Sequence, residues 1–296
     1  MNFIEWLKVI LLGIVEGITE WLPISSTGHL ILTDAIWPLQ QSDALQDGIT
    51  VVIQLGALLA ALVLYWSKLW PFHRKRIPQR SWFAQQSTNG FVGGLQRFGD
   101  RYCCMDKIVM WLKIAVSCLP AMLIGLPLND WLDKHFYNPT VVALMLLLYG
   151  AGFLFVERYN RSRKPRVNSI AALRWSDALL IGVFQVLALI PGTSRSGATI
   201  LGGILIGTSR EVAAEYTFFL AVPVMFGASL LKIVKFGAIS GTELGVLLVG
   251  MAVAFGVSIL AIRFLMGYIR KHDFTAFGWY RIGLGLLVLL YFYVIR

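Results

Sequence analysis

The feature that most constrains this chain is a series of apolar runs long enough to cross a lipid bilayer. ITVVIQLGALLAALVLYW (49–66), VVALMLLLYGAGFLFV (141–156), LGVLLVGMAVAFGVSILAI (244–262) and FGWYRIGLGLLVLLYFYVI (277–295) recur along it. Each approaches or reaches the roughly 17–25 residues that a spanning helix needs. Lipid offers backbone groups no partner, so only helices and closed barrels span it. Barrel strands would alternate apolar and polar residues over about 10 positions, and no such pattern occurs here. Only 14% of the 296 residues are charged, against about 25% in soluble domains. The expected class is an all-α polytopic membrane protein, with 1–296 forming a single integral membrane domain.

MNFIEWLKVILLGIVEG at the start lacks a basic n-region and a small-residue cleavage site, so it does not read as a signal peptide. Cys103, Cys104 and Cys118 show neither CxxC nor metal spacing, so no disulfide framework or zinc site is expected. The net charge of +10 reads as loop-borne orienting charge rather than as a nucleic-acid footprint, and no nucleic-acid partner is expected.

Six full spans are expected, at 49–66, 108–128, 140–156, 213–234, 243–266 and 277–295. Two further apolar regions, 3–36 and 176–208, are broken midway. WLPISSTGHLIL (21–32) and LIPGTSRSGATIL (189–201) each read as an apolar arm, a proline, a Ser/Thr/Gly cluster and a second apolar arm. Each precedes a full span. This weak internal repeat, about 1–156 and 176–296, predicts two re-entrant helical hairpins in inverted-topology repeats, the arrangement that places a binding site at the repeat interface.

With both hairpins re-entering, loops 67–107, 157–175 and 263–281 and the turn at Arg210 fall on one side and hold most of the 26 Lys and Arg residues. Lys8, Lys134, Lys232, Lys235 and Arg296 fall on the other. The basic side is expected to be cytoplasmic, with both termini outside. The long basic loop 67–107 is expected to be a solvated, orienting segment.

EGITEWLPISSTGHL (16–30) carries the polar groups that need a reason. Glu16 and Glu20, at i and i+4, share one helical face. Charges at the bilayer centre are costly, and a divalent cation or an arginine between the two carboxylates would offset that cost. Ser25, Ser26 and Thr27 are placed to cap the second arm, and a helix N-terminus is a ready anion site. His29, one turn later, can act as a general acid or base or serve structurally. In the second hairpin Arg195 offers a fork that matches phosphate. Thr193, Ser194, Ser196 and Thr199 add hydroxyls, and Gly192 and Gly197 allow close backbone approach. Gln185 is a further buried polar candidate. Together these residues predict a phosphate site with acid/base groups, and a Mg²⁺ or Ca²⁺ ion between carboxylates and phosphate.

EGITEWLPISSTGHL followed by VVIQLGALLA, and LALIPGTSRSGATILGG followed by EYTFFLAVPVMFGAS, resemble the undecaprenyl-diphosphate phosphatase family, the bacitracin-resistance proteins of bacterial cell walls. The resemblance covers nearly the whole chain. It implies hydrolysis of undecaprenyl diphosphate to undecaprenyl phosphate and inorganic phosphate at the outer face of the bacterial cytoplasmic (inner) membrane. The lipid carrier is thereby recycled for peptidoglycan synthesis, and bacitracin resistance follows. It implies Glu16, Glu20, Ser26, His29 and Arg195 as catalytic residues, with Ser25, Thr27, Ser194, Ser196 and Thr199 beside Arg195 at the phosphates, and Glu16 and Glu20 as metal ligands. Ser26 or a metal-activated water would be the nucleophile. Members often carry an acid just before VVIQLG, where this chain has Thr50, with Asp47 a turn earlier. The acid-phosphatase-like lipid phosphatases need a histidine after SR, which GATILGGILIGT lacks. Transport of the carrier by the same inverted repeats is the competing class.

Overall fold

The computed structural model describes residues 3–39, 43–72, 103–233 and 241–295. Residues 73–102, most of the basic loop, lie outside them. The chain is helical: α1 (Phe3–Thr19), α2 (Ser26–Ile36), α3 (Asp43–Leu64), α4 (Trp66–Leu69), α5 (Met105–Phe136), α6 (Pro139–Asn160), α7 (Trp175–Val186), α8 (Arg195–Leu205), α9 (Arg210–Ile233), α10 (Gly241–Ile269) and α11 (Thr275–Leu290). Among the described residues only two isolated bridges, Phe72–Cys103 and Val167–Thr208, pair extended backbone.

Five stretches are long and apolar enough to cross a membrane: Met105–Leu128, Pro139–Asn160, Arg210–Leu230, Glu243–Ile269 and Thr275–Ile295. They coincide with five of the six expected spans. The remaining one, 49–66, falls in α3, whose apolar part among the described residues, Gly48–Leu64, is shorter. This is a multi-pass, all-helical membrane protein.

Packing echoes the sequence repeat. The first arm, α1, lies against α10, while the first arm of the second region, α7, lies against α5. The final helices of the two halves, α6 and α11, pair with each other, and so do α3 and α9. Close crossings use glycine, as helices do where lipid supplies no hydrophobic drive. A Cβ on Gly56 would sit 2.3 Å from Met251 O in α10, and one on Gly182 would sit 2.4 Å from Ser117 O in α5.

One end of the bundle gathers the basic segments. Two adjoining cavities there are lined by residues from 160–171 and 204–219, with Ile269, Lys68, Lys107 and Lys113. Glu157 ties this end together. It accepts a bidentate contact from Arg210 at the start of α9 and the Phe274 amide at 3.0 Å. Lys68 pairs with Glu215, and Arg166 with Asp177. One basic residue departs from the expected distribution. Arg281, counted above with loop 263–281, lies inside α11 and is fully buried. It is not an orienting charge, because its guanidinium is committed to protein carbonyls.

Candidate active site

The two hairpin turns meet in the protein interior. After α1 ends at Thr19, residues 20–24 turn irregularly. The Glu20 amide still bonds to Glu16 O, and Pro23 contributes no N–H. Ser25 then caps α2, its Oγ accepting from the Gly28 amide at 3.4 Å. In the second hairpin a 3₁₀ turn, Leu187–Leu189, leads through Pro191 and Gly192 to Ser194, whose Oγ accepts from the Gly197 amide at 3.2 Å. Ser25 and Ser194 are the two non-glycine residues with positive φ among those described, at 73° and 69°. The equivalence of the hairpins is therefore set by these serines, one residue farther apart than the two prolines.

Irregular backbone buried at membrane depth must find its partners within the protein. Here the partners cross between hairpins. Ser196 Oγ lies 3.2 Å from Glu20 O and 3.3 Å from Leu22 O, sharing its proton between them. Arg281 donates to Pro23 O at 3.1 Å, to Gly192 O at 2.9 Å and to Thr193 O at 2.7 Å. Pro23 and Gly192 each stand two residues before a capping serine, so one guanidinium grips equivalent carbonyls of both turns. Gly197 makes room for it, since a Cβ there would stand 2.6 Å from Arg281 Nη1.

The side chains expected at the site divide into groups. Glu20, Ser26 and Arg195 come together: Arg195 Nη2 donates to Glu20 Oε1 at 3.1 Å, and Ser26 Oγ donates to Glu20 Oε2 at 3.2 Å. Arg195 Nη1 also reaches Thr217 O at 3.1 Å in α9. Glu16 is buried at 4% exposure, close enough to Glu20 and Arg195 to interact with both, and its Oε2 has no partner among the described residues.

His29 takes another direction. Its Nδ1 donates to Ser25 O at 2.7 Å, since a carbonyl only accepts. In the neutral ring Nε2 then accepts from the Tyr280 hydroxyl at 2.7 Å. No hydrogen bond joins His29 to Ser26. Thr199 donates to Arg195 O at 2.8 Å and meets Thr217 Oγ1 at 2.8 Å, bracing the start of α8. Ser194 donates to Ser196 at 3.1 Å. Thr27 is partly exposed. Gln185 is buried with both amide atoms unpartnered among the described residues. Thr50 is exposed and bonds to Gln46 O in its own helix.

Sequence reasoning missed Arg281 and Tyr280. The available signal was an arginine inside the apolar stretch FGWYRIGLGLLVLLYFYVI.

Residues 9–287 match the family described as bacitracin resistance protein BacA. The chain belongs to that family. Among curated relatives, the undecaprenyl-diphosphatase of Acetivibrio thermocellus is 54% identical over 295 residues, covering 99% of this chain and 100% of the relative. Those of Desulfitobacterium hafniense and Enterococcus faecalis are 53% and 51% identical, each over 98% or more of both chains.

No group of three or more His, Cys, Asp or Glu that could hold a metal occurs among the described residues. The donor set of this BacA-family site still suits a cation of the Mg²⁺ type. Such an ion commonly binds one or two carboxylates and completes its shell with water and substrate phosphate. Glu16 Oε2, buried and unpartnered, is the free carboxylate oxygen beside Glu20.

Proposed function

We propose that this chain hydrolyses undecaprenyl diphosphate to undecaprenyl phosphate and inorganic phosphate, recycling the lipid carrier for cell-wall synthesis and conferring bacitracin resistance. Membership of the BacA family and the activity for which relatives at about half identity are named support this. The observation that carries the chemistry is the partly buried Ser26–Glu20–Arg195 chain, with both Glu20 oxygens engaged at 3.1–3.2 Å.

In this reading Ser26 Oγ attacks the distal phosphorus while its proton passes to Glu20. The bond from that phosphorus to the bridging oxygen breaks as Glu20 passes the proton to the departing lipid monophosphate. Water then attacks the phosphoserine with Glu20 taking its proton, and the bond from phosphorus to Ser26 Oγ breaks as Glu20 returns that proton to Oγ, releasing inorganic phosphate. Arg195 moves from Glu20 to the phosphate oxygens, where its fork stabilises developing charge. His29, held by Tyr280, orients the start of α2 rather than taking the Ser26 proton. Glu16 and Glu20 would hold Mg²⁺ or Ca²⁺. When bound, such an ion neutralises phosphate charge beside the carboxylates.

The same reading places six spans and two re-entrant hairpins in inverted repeats, about 1–156 and 176–296, in the bacterial inner membrane. The basic end faces the cytoplasm and the turns open to the outside. The paired packing of α1 on α10 and α7 on α5 supports it.

The test is phosphate release from undecaprenyl diphosphate by purified protein, with β-³²P substrate quenched in acid. Ser26→Ala and Glu20→Gln are expected to lose about 10²–10⁴-fold in rate. EDTA is expected to abolish release, with Mg²⁺ or Ca²⁺ restoring it. Label retained on the wild-type chain and absent from Ser26→Ala supports the serine nucleophile. Full activity in Ser26→Ala would transfer the attack to water.

A further inference from the structure

A second polar cavity lies at the basic end of the bundle. The 11 residues of α8 separate it from Arg195 by about 16 Å at 1.5 Å per residue. Its volume is about 540 Å³, and its lining includes Arg163, Lys164, Thr208, Ser209, Arg210 and Glu211. That volume falls in the range of small-molecule sites, roughly 300–1,000 Å³.

The charge in this cavity is not cancelled by its neighbours. Arg166 and Arg210 are paired with Asp177 and Glu157. Glu211 faces Arg270 at 3.8 Å. Arg163 and Lys164 are exposed and have no carboxylate partner among the described residues, Arg163 resting over the Tyr159 ring at 3.8 Å. These are the surplus cations.

Directed donors accompany them. The α9 helix starts at Arg210, with Ser209 Oγ accepting from the Val212 amide. The Arg210 and Glu211 amides, in the first turn, have no intrahelical acceptor and carry the positive end of the helix dipole. Thr208 is 4% exposed, and its Oγ1 has no partner among the described residues. An orphaned buried hydroxyl is costly. The turn bearing it is rigid: Gly207, at φ 96°, accepts from the Arg166 and Val167 amides at 2.8 and 3.1 Å.

We propose that this cavity binds the phosphate group of an anionic ligand, held by Arg163 and Lys164, the amide end of α9 and the Thr208 and Ser209 hydroxyls. The chemistry fits two sources, an anionic phospholipid headgroup at the membrane surface and free inorganic phosphate. The site is independent of the phosphatase reading and would stand if that reading failed.

The experiment uses the full chain in nanodiscs and follows Tm in two titrations. One raises the fraction of phosphatidylglycerol in phosphatidylcholine. The other adds inorganic phosphate to phosphatidylcholine discs. The cavity variants are Arg163→Gln/Lys164→Gln and Thr208→Val. Arg161→Gln/Lys271→Gln removes equal charge from exposed positions outside the cavity lining. Stabilisation whose midpoint weakens about tenfold or more in the cavity variants, and less than about twofold in the control, is the expected result. Phosphatidylglycerol alone doing this assigns a headgroup, and phosphate doing it assigns the free ion. The activity of Arg163→Gln/Lys164→Gln in phosphatidylcholine is expected to match the wild type. No stabilisation by either ligand, or equal weakening in cavity and control variants, would overturn the proposal.

Discussion

Arg281 shows how one side chain can organise a site without standing on the reaction path. It is a fully buried cation that donates to three backbone carbonyls, from two turns that are remote in sequence. Hydrogen bonds to a charged group contribute about 1.5–3 kcal/mol each, and leaving a buried acceptor bare costs about 1–3 kcal/mol. Arg281→Met therefore strands three carbonyls at once. It is expected to lower Tm in detergent by several degrees and to reduce kcat far more than it raises KM, because Ser26 and Arg195 lose their relative placement. Arg281→Lys should recover part of both. A Met variant with normal kcat would show that the turns hold themselves. The sequence displayed the Glu20, Ser26 and Arg195 cluster more clearly than this clamp. Glu20, Ser26 and Arg195 stand out as polar groups in apolar arms, whereas Arg281 sits near the end of a span, where a basic residue reads as part of the adjoining loop. The direction of His29 toward Tyr280, across helices distant in sequence, had no sequence signature.

The two hairpins owe their shape to their capping residues. A proline and a Ser/Thr/Gly cluster between apolar arms announce a break, and the breaks occur where the pattern places them. Which hydroxyl caps was not readable, since Ser25, Ser26 and Thr27 all stood in range. The backbone decides it. Ser25 (φ 73°) and Ser194 (φ 69°) hold conformations that non-glycine residues rarely adopt, at a cost of about 1–3 kcal/mol each. Replacing an N-cap serine by glycine loses only a few tenths of a kcal/mol, while replacing it by alanine loses about 1 kcal/mol. Ser25→Gly also relieves the strain that Ser25→Ala retains. The glycine variant is thus expected to be at least as stable as the wild type and about 1 kcal/mol or more above the alanine variant. Reversible unfolding in mixed micelles would measure this. If the alanine variant proves the more stable, the strain at the hairpin tip is not real. Strain at both tips is consistent with the placement of Ser26 and Arg195, each immediately after such a serine and thereby directed into the shared interior.

Orientation belongs to the whole molecule, and it follows from charge and helix length together. The apolar spans could be read from sequence because their signal is compositional. The pairing of α1 with α10 and of α7 with α5 could not, because it depends on close approaches such as those of Gly13 to Gly250 O and of Gly182 to Ser117 O. With 22 residues, α6 rises about 33 Å, enough to carry the chain across the roughly 30 Å hydrocarbon core. Its two flanks, Tyr137 and Ser162, therefore stand at opposite surfaces, and both are exposed. Ser162 lies in the basic segment that meets 204–211 and Ile269, so the positive-inside rule predicts a cytoplasmic position for it. In a chain with Cys103, Cys104 and Cys118 replaced, Tyr137→Cys is expected to react with a membrane-impermeant maleimide in intact cells. Ser162→Cys should react only after permeabilisation. Removing Arg281 from the orienting charges leaves this expectation unchanged, because Arg163, Lys164, Arg166, Arg270 and Lys271 remain on the Ser162 side. The reverse labelling pattern would put the basic end outside and turn the Ser26–Glu20–Arg195 cluster toward the cytoplasm, where it would face a different pool of lipid diphosphate.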